Sequence, residues 1–272
     1  MSDVILAILA ETRGAVECLD AARTAAVALA QAELVVLHVR PDPRTTILPT
    51  EEILTPRRRT ALTLEAVSEA AKLRRLLAQW RAHNPQDISV VWRDVAGDVE
   101  AEVARHGQAA ALIVMVGPGP HSRGHAHDAF HAALFNSGRP LLRAPPDAPA
   151  RAPRRITIGW KESDVCRRAI AAAVPWLKQA ESIEVLHVVA RDPAELAAAA
   201  ELLARLGLQA NCHPLVRGAT PVGEQLLAEA AAQGADWLVI GAYSRPPLAE
   251  QVFGGVTRVV LSAARLPVFM LY

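Results

Sequence analysis

The chain has 272 residues, 51% hydrophobic and 21% charged, which is apolar material enough for one large core or two ordinary ones and too much for a disordered chain. Lysine and arginine number 29 against 28 acidic residues, so a formal charge of +1 supplies no overall field to hold nucleic acid. Cys18, Cys166 and Cys212 stand far apart in no disulfide or zinc spacing, which points to a reducing, cytoplasmic compartment; no apolar run of about 18 residues implies a membrane span, so no membrane partner is expected.

The first element is an apolar run from Val4 to Ala10, flanked by Asp3 and Glu11. It lacks a basic leader and reads as a strand, not a signal peptide. An alanine-rich helical stretch leads to a second strand at Val36-Leu37-His38-Val39. An insertion follows from Arg40 to about Thr60, holding Pro41, Pro43, Pro49 and Pro56 and the basic run Arg57-Arg58-Arg59. It is expected to be a solvated loop leading into a long helix, with an anion-binding patch as the alternative. Leu112 to Gly117 is a further strand, and Gly138-Arg139-Pro140-Leu141-Leu142 leads into the last strand of this half. Residues 143–155 carry Pro145, Pro146, Pro149 and Pro153, which favour an extended linker.

Beyond the linker the plan repeats. Strands are predicted at Ile156 to Trp160, Ser182 to Val189, Leu208 to Val216, Trp237 to Gly241 and Val268 to Tyr272. Helices are predicted at Cys166 to Gln179, Pro193 to Leu206, Val222 to Gln233 and about Gly255 to Ala264. Val185-Leu186-His187-Val188 returns the second strand of the first half, and Leu238-Val239-Ile240-Gly241 returns Leu112 to Gly117. Short apolar strands between amphipathic helices mean a parallel sheet covered on both faces. The fold class is therefore α/β, two tandem doubly wound five-stranded domains: 1–143, a linker at 144–155, and 156–272. An apolar fifth strand ends each half, Leu141-Leu142 and Val268-Phe269-Met270-Leu271, and pairing the two would remove an exposed edge and give an intramolecular pseudo-dimer, with a homodimer as a further possibility.

Ligands of open parallel sheets bind outside the C-terminal strand ends where strand order reverses, so the loops after the first and fourth strands of each half are the places to search. In the second half Gly241 ends a strand, a loop follows, and Gly254-Gly255 opens a helix through Val256 and Thr257. Backbone N–H groups and a helix N-terminus in that arrangement can hold a phosphate. The equivalent loop of the first half, from Gly117 to Gly124, has Pro118 and Pro120 where donors would be needed, and no P-loop or dinucleotide fingerprint is present. Glu11 keeps a carboxylate after the first strand there. This half reads as structural or regulatory.

These residues resemble the universal stress protein family, in its tandem form. The likeness is carried by Val36 to Val39 and Val185 to Val188, by Ala235-Asp236-Trp237-Leu238-Val239-Ile240-Gly241-Ala242-Tyr243, by Gly254-Gly255-Val256-Thr257-Arg258, and by Gly138-Arg139-Pro140. It implies a fold like that of the adenine nucleotide alpha hydrolases, strand order 3-2-1-4-5, domain pairing through the fifth strands, and a binding or regulatory role in stress response without catalytic residues. In the nucleotide-binding branch it implies an ATP loop of form G-x2-G-x9-G-[ST] and an acidic residue after strand one. Here Gly241 matches the first glycine, Ser244 replaces the second, Gly254 matches the third, Gly255 replaces the hydroxyl residue, and Lys161 stands in the acidic position. The resemblance thus implies an adenine nucleotide, ATP first, with phosphates over Gly254, Gly255 and Val256 and the base between Val188 and Lys161. The alternative is an empty loop, in which Gly254-Gly255 only lets the helix approach the sheet and the chain acts as a nucleotide-free scaffold for other proteins.

Catalytic and metal chemistry find little support. No nucleophile elbow is present, Cys212 and His213 point to opposite faces of a strand, and slow nucleotide hydrolysis in the second half is the one competing activity. His121, His125, His127 and His131, with Asp128, fall within eleven residues, and His127 with His131 has the i, i+4 spacing of a metal pair. The segment lacks the glutamate of a zinc helix, and solvated histidines are expected. His38 and His187 are read as strand-end residues whose ring nitrogens are satisfied locally, not as general bases.

Overall fold

The structure is a computed structural model that describes residues 3–29, 32–44, 55–84, 88–119, 121–122, 124–147, 151–189, 194–242 and 255–272. The first half runs β1 (Val4–Ile8), α1 (Ala15–Val27), β2 (Glu33–Pro41), α2 (Pro56–His83), β3 (Ser89–Gly97), α3 (Val99–Gly107), β4 (Leu112–Val116), α4 (Gly124–His131), a π-helical turn (Ala132–Asn136) and β5 (Leu141–Ala144). The second runs β6 (Arg155–Gly159), α5 (Asp164–Leu177), β7 (Ser182–Val189), α6 (Ala194–Arg205), β8 (Asn211–Val216), α7 (Val222–Ala232), β9 (Trp237–Gly241), α8 (Gly255–Ala263) and β10 (Val268–Leu271).

The strands lie in the order β3-β2-β1-β4-β5-β10-β9-β6-β7-β8. Each half is thus a doubly wound sheet of order 3-2-1-4-5, as expected. Ile5, Leu34, Leu112, Ile113, Ile156, Val185 and Val239 are all sealed from solvent, which is why these strands read as continuous apolar runs: helices cover both faces. Several boundaries shift by local chemistry. Helix α5 begins at Asp164, two residues before the expected start, because the Ser163 hydroxyl accepts from Cys166 N at 3.3 Å and caps it. β6 starts and ends one residue early, and β8 starts only at Asn211 instead of Leu208. The largest correction concerns the basic run, which is not loop. Thr55 caps α2 by accepting from Arg58 N at 3.3 Å, Pro56 takes the first helical position, and Arg57, Arg58 and Arg59 form the first turn.

Among the described residues the one antiparallel pairing in the sheet joins the halves. Val268 sits opposite Arg143, Phe269 opposite Leu142 and Met270 opposite Leu141. Beside this seam Phe269 packs on Trp176 and Trp237, with ring centroids 5.7 and 6.4 Å away. Trp176, on α5, donates its indole N–H to Ala25 O of α1 at 3.0 Å, and the Gln179 amide reaches Ala28 O. Arg143 is buried in the seam and donates to Ala264 O, just beyond α8, at 2.8 Å; there the negative end of the helix offsets part of its desolvation. A buried core therefore runs unbroken from one half into the other.

Candidate functional site

Parallel register lines up the C-terminal strand ends of the second half. Gly159 stands opposite Leu186 of β7 and opposite Ile240 of β9. Lys161, two residues beyond Gly159, Val188, two beyond Leu186, and Gly241, one beyond Ile240, consequently share one edge of the sheet. Helix α8 connects β9 to the parallel β10, so it runs back against the strands and its N-terminus lies at that edge. Gly255, Val256 and Thr257 form its first turn; Gly255 and Val256 are exposed and Thr257 is buried. Ser244 and Gly254 lie outside the described residues.

Two glycines here serve packing. A Cβ at Gly241 would stand 2.8 Å from Cys166 N and 2.9 Å from Cys166 Cα, so the absence of a side chain is what lets the first turn of α5 close on β9. A Cβ at Gly159 would meet Leu226 and Ile240 at 2.8 and 2.9 Å. Gly255, by contrast, has nothing among the described residues within 4 Å of its Cβ position. Trp160 is buried with the Arg167 guanidinium 5.7 Å from its ring centroid, and Arg167 is tied to Glu162 at 2.7 Å. Lys161 is exposed.

The paired strand-end histidines follow one rule. His38 Nδ1 lies 2.7 Å from Leu9 O and His187 Nδ1 2.9 Å from Trp160 O; a carbonyl only accepts, so Nδ1 carries the proton in both. Local satisfaction was expected and holds for that nitrogen. The other nitrogens differ. His187 Nε2 is 2.8 Å from Glu195 Oε2, out of hydrogen-bonding alignment, whereas His38 Nε2 is buried without a partner and its ring stacks at 6.3 Å on Trp92. Burial holds the His38 imidazole below the ordinary histidine value, against the hydrogen bond it donates to Leu9 O and the carboxylates of Asp94 and Glu69. The unfolded chain therefore takes up that proton first, and the stabilisation is complete above the ordinary value of 6.5 and lost as pH falls below it. The thermal midpoint is expected to drop between about pH 7.5 and about pH 5.5, with a shallower slope for His38→Asn, which stays neutral over that range. Equal slopes in circular-dichroism melts of the two proteins would assign the effect to another group.

The equivalent edge of the first half is closed by its own side chains. The Ser122 hydroxyl donates to Glu11 and accepts from Gly119 N at 2.9 Å. Thr12 N donates to Glu69 of α2 at 3.0 Å, and Gly14, with φ of 72°, leaves room for Val116, whose Cγ1 would be 2.9 Å from a Cβ there. What is left is a cavity of about 20 Å3 lined by Glu11, Arg13, Gly14, Cys18, Val116 and Pro118, enough for one water. The Cys18 thiol on its wall donates to Val114 O at 3.4 Å, and burial pushes it up to about 12, so it stays protonated. The repeat places Cys166 likewise, with Sγ 3.7 Å from Gly159 O, just as Cys18 Sγ is 3.7 Å from Ile8 O. Glu11 was legible as a carboxylate after strand one; its partner Ser122, 111 residues away, was not.

His127 and His131 do share α4 at i, i+4, but His131 Nδ1 faces Glu100 Oε1 at 3.4 Å, and among the described residues no three metal-binding side chains converge. Nor is any helix of the described residues long and apolar enough to cross a membrane.

The universal stress protein family profile matches residues 189–271, the stretch that runs from β7 through Gly241 and Gly255 to β10. The C-terminal region is thus similar to the universal stress proteins. Over the whole chain the fold is that of a universal stress protein from Archaeoglobus fulgidus DSM 4304, at a TM-score of 0.74 and 16% identity, covering 100% of this chain and 98% of that one. A protein of unknown function from Pseudomonas aeruginosa PAO1 aligns at a TM-score of 0.60 and 16% identity, covering 99% of this chain and 92% of that one. No curated protein matches the sequence. The universal stress protein segment thus contains one side of the candidate site, β9 and α8, while β6 and Lys161 lie outside the matched residues.

Proposed function

We propose that this chain is a cytoplasmic binding and regulatory protein of the stress response, built from domains 1–143 and 156–272 joined by 144–155, and that its second half holds an adenine nucleotide, ATP first. The observation that carries the reading is the open first turn of α8: among the described residues Gly255 has no neighbour within 4 Å of a Cβ, and the turn stands at the same sheet edge as Lys161 and Val188. Unpaired N–H groups and the positive end of the helix favour a phosphate there, and Lys161 adds a cation at the edge. The phosphates lie over Gly254, Gly255 and Val256, and the base between Val188 and Lys161. The role proposed is holding the ligand, not turning it over.

Titration calorimetry of the full chain with ATP and magnesium tests this. One nucleotide per chain is expected, and Gly255→Val is expected to weaken binding by about tenfold or more, since a branched side chain would block approach to the backbone. The variant has space for its side chain, so its melting should match the parent. Absence of heat with ATP, or undiminished binding by the variant, would favour the nucleotide-free scaffold instead.

A further inference from the structure

Helix α2 spans 28 residues, about 42 Å, yet Ala70 is the first of them to be buried. From there Ala70, Leu73, Leu77 and Trp80 face the core, and the Trp80 indole donates to Asp20 at 2.7 Å. The preceding fourteen residues, 56–69, have no buried member. Leu64 is 64% exposed and Val67 46%, the largest apolar exposures on any helix of the described residues save Val27 at 52%. The helix carries six arginines and one lysine against two glutamates, a net +5 in a chain whose total is +1. Its first turn is Arg57, Arg58 and Arg59 with no acidic residue, although the positive end of a helix disfavours cations there. Among the described residues neither Arg57 nor Arg58 is in an ion pair.

Their placement is directional. At about 100° per residue, Arg57, Leu64, Val67 and Arg75 fall within a sector of roughly 80° opposite the core-facing residues. The outer ridge of α2 therefore presents apolar side chains in the middle and arginines at each end, along about 27 Å. So narrow a ridge, on a helix whose other side packs against the body from Ala70 onward, suits a flat surface better than a groove in another protein. We propose that the outer ridge of α2 docks on an anionic lipid surface, Leu64 and Val67 entering the headgroup boundary while Arg57 and Arg75 stay at the level of the lipid phosphates. The contact is peripheral and calls for no membrane span. It is independent of the nucleotide reading.

Sedimentation of the full chain with vesicles tests it. Vesicles of phosphatidylcholine containing about 30% phosphatidylserine should retain several-fold more protein than phosphatidylcholine alone, and about 0.5 M salt should release it. The double variants Leu64→Glu, Val67→Glu and Arg57→Glu, Arg75→Glu should each reduce the bound fraction about tenfold, with helix content unchanged by circular dichroism because all four side chains are exposed. Equal retention on neutral and anionic vesicles, retention on neither, or variants that sediment like the parent would each overturn the proposal. A ridge that recognises an acidic protein would give the second of these results.

Discussion

Replacing Phe269 by aspartate is expected to unfold most of the chain at room temperature. Phe269 is fully buried, lies opposite Leu142 across the seam, and touches both Trp176 and Trp237. Truncating a buried phenylalanine costs about 3–5 kcal/mol, and enclosing an unpaired carboxylate adds several more, against a total stability of about 5–15 kcal/mol. The two indoles report the outcome directly, because both leave an apolar environment if the cluster opens: the emission should shift to the red and the folded fraction collapse. The milder Phe269→Leu keeps an apolar filling and is expected to cost about 1.5 kcal/mol. Unchanged melting and solubility of the aspartate variant would mean that the two fifth strands do not pair in solution.

The second large effect is expected at Gly241. A valine there would place its Cβ 2.8 Å from the backbone nitrogen of Cys166, and no flexible side chain can yield, because the obstacle is the first turn of α5 itself. Overpacking of this kind costs about 3 kcal/mol, a fall in melting temperature on the order of 6–12 °C for a chain of this size. Displacing α5 also pulls Trp176 from Ala25 O, so the loss should reach the contact between the halves. Differential scanning calorimetry separates this from the ligand site, since Gly255→Val, with open space around it, should melt within about 0.5 kcal/mol of the parent. If Gly241→Val melts like the parent, the close approach of α5 to β9 is wrong. A glycine that matches a ligand motif in sequence would then be there for the ligand alone.

What the sequence by itself determined is whatever depends on neighbours along the chain. Apolar runs of five to nine residues between amphipathic stretches placed the strands, and the return of Val36 to Val39 as Val185 to Val188 showed the duplication, because the two halves bury the same kind of strand in the same way. Order 3-2-1-4-5 came from the family resemblance, and the handedness of parallel crossovers leaves few alternatives to it. Caps were less legible: Thr55 and Ser163 start their helices earlier than hydrophobic periodicity suggests, since a capping hydroxyl acts before the first apolar residue of the helix.

Only the tertiary structure decided what distant residues do to each other. It closed the first-half edge through Ser122 on Glu11 and Thr12 on Glu69, contacts spanning 111 and 57 residues. It set Trp176 against Ala25, 151 residues apart. It also gave equivalent histidines different surroundings, His187 beside Glu195 and His38 beside Trp92, although the strands that carry them read alike. Such pairings depend on loop lengths and helix positions summed over the whole fold, and no local pattern records them. The same holds for the outer ridge of α2: residue spacing puts Arg57, Leu64, Val67 and Arg75 on one side of the helix, but that this side faces away from the body is decided by the packing of Ala70, Leu73, Leu77 and Trp80.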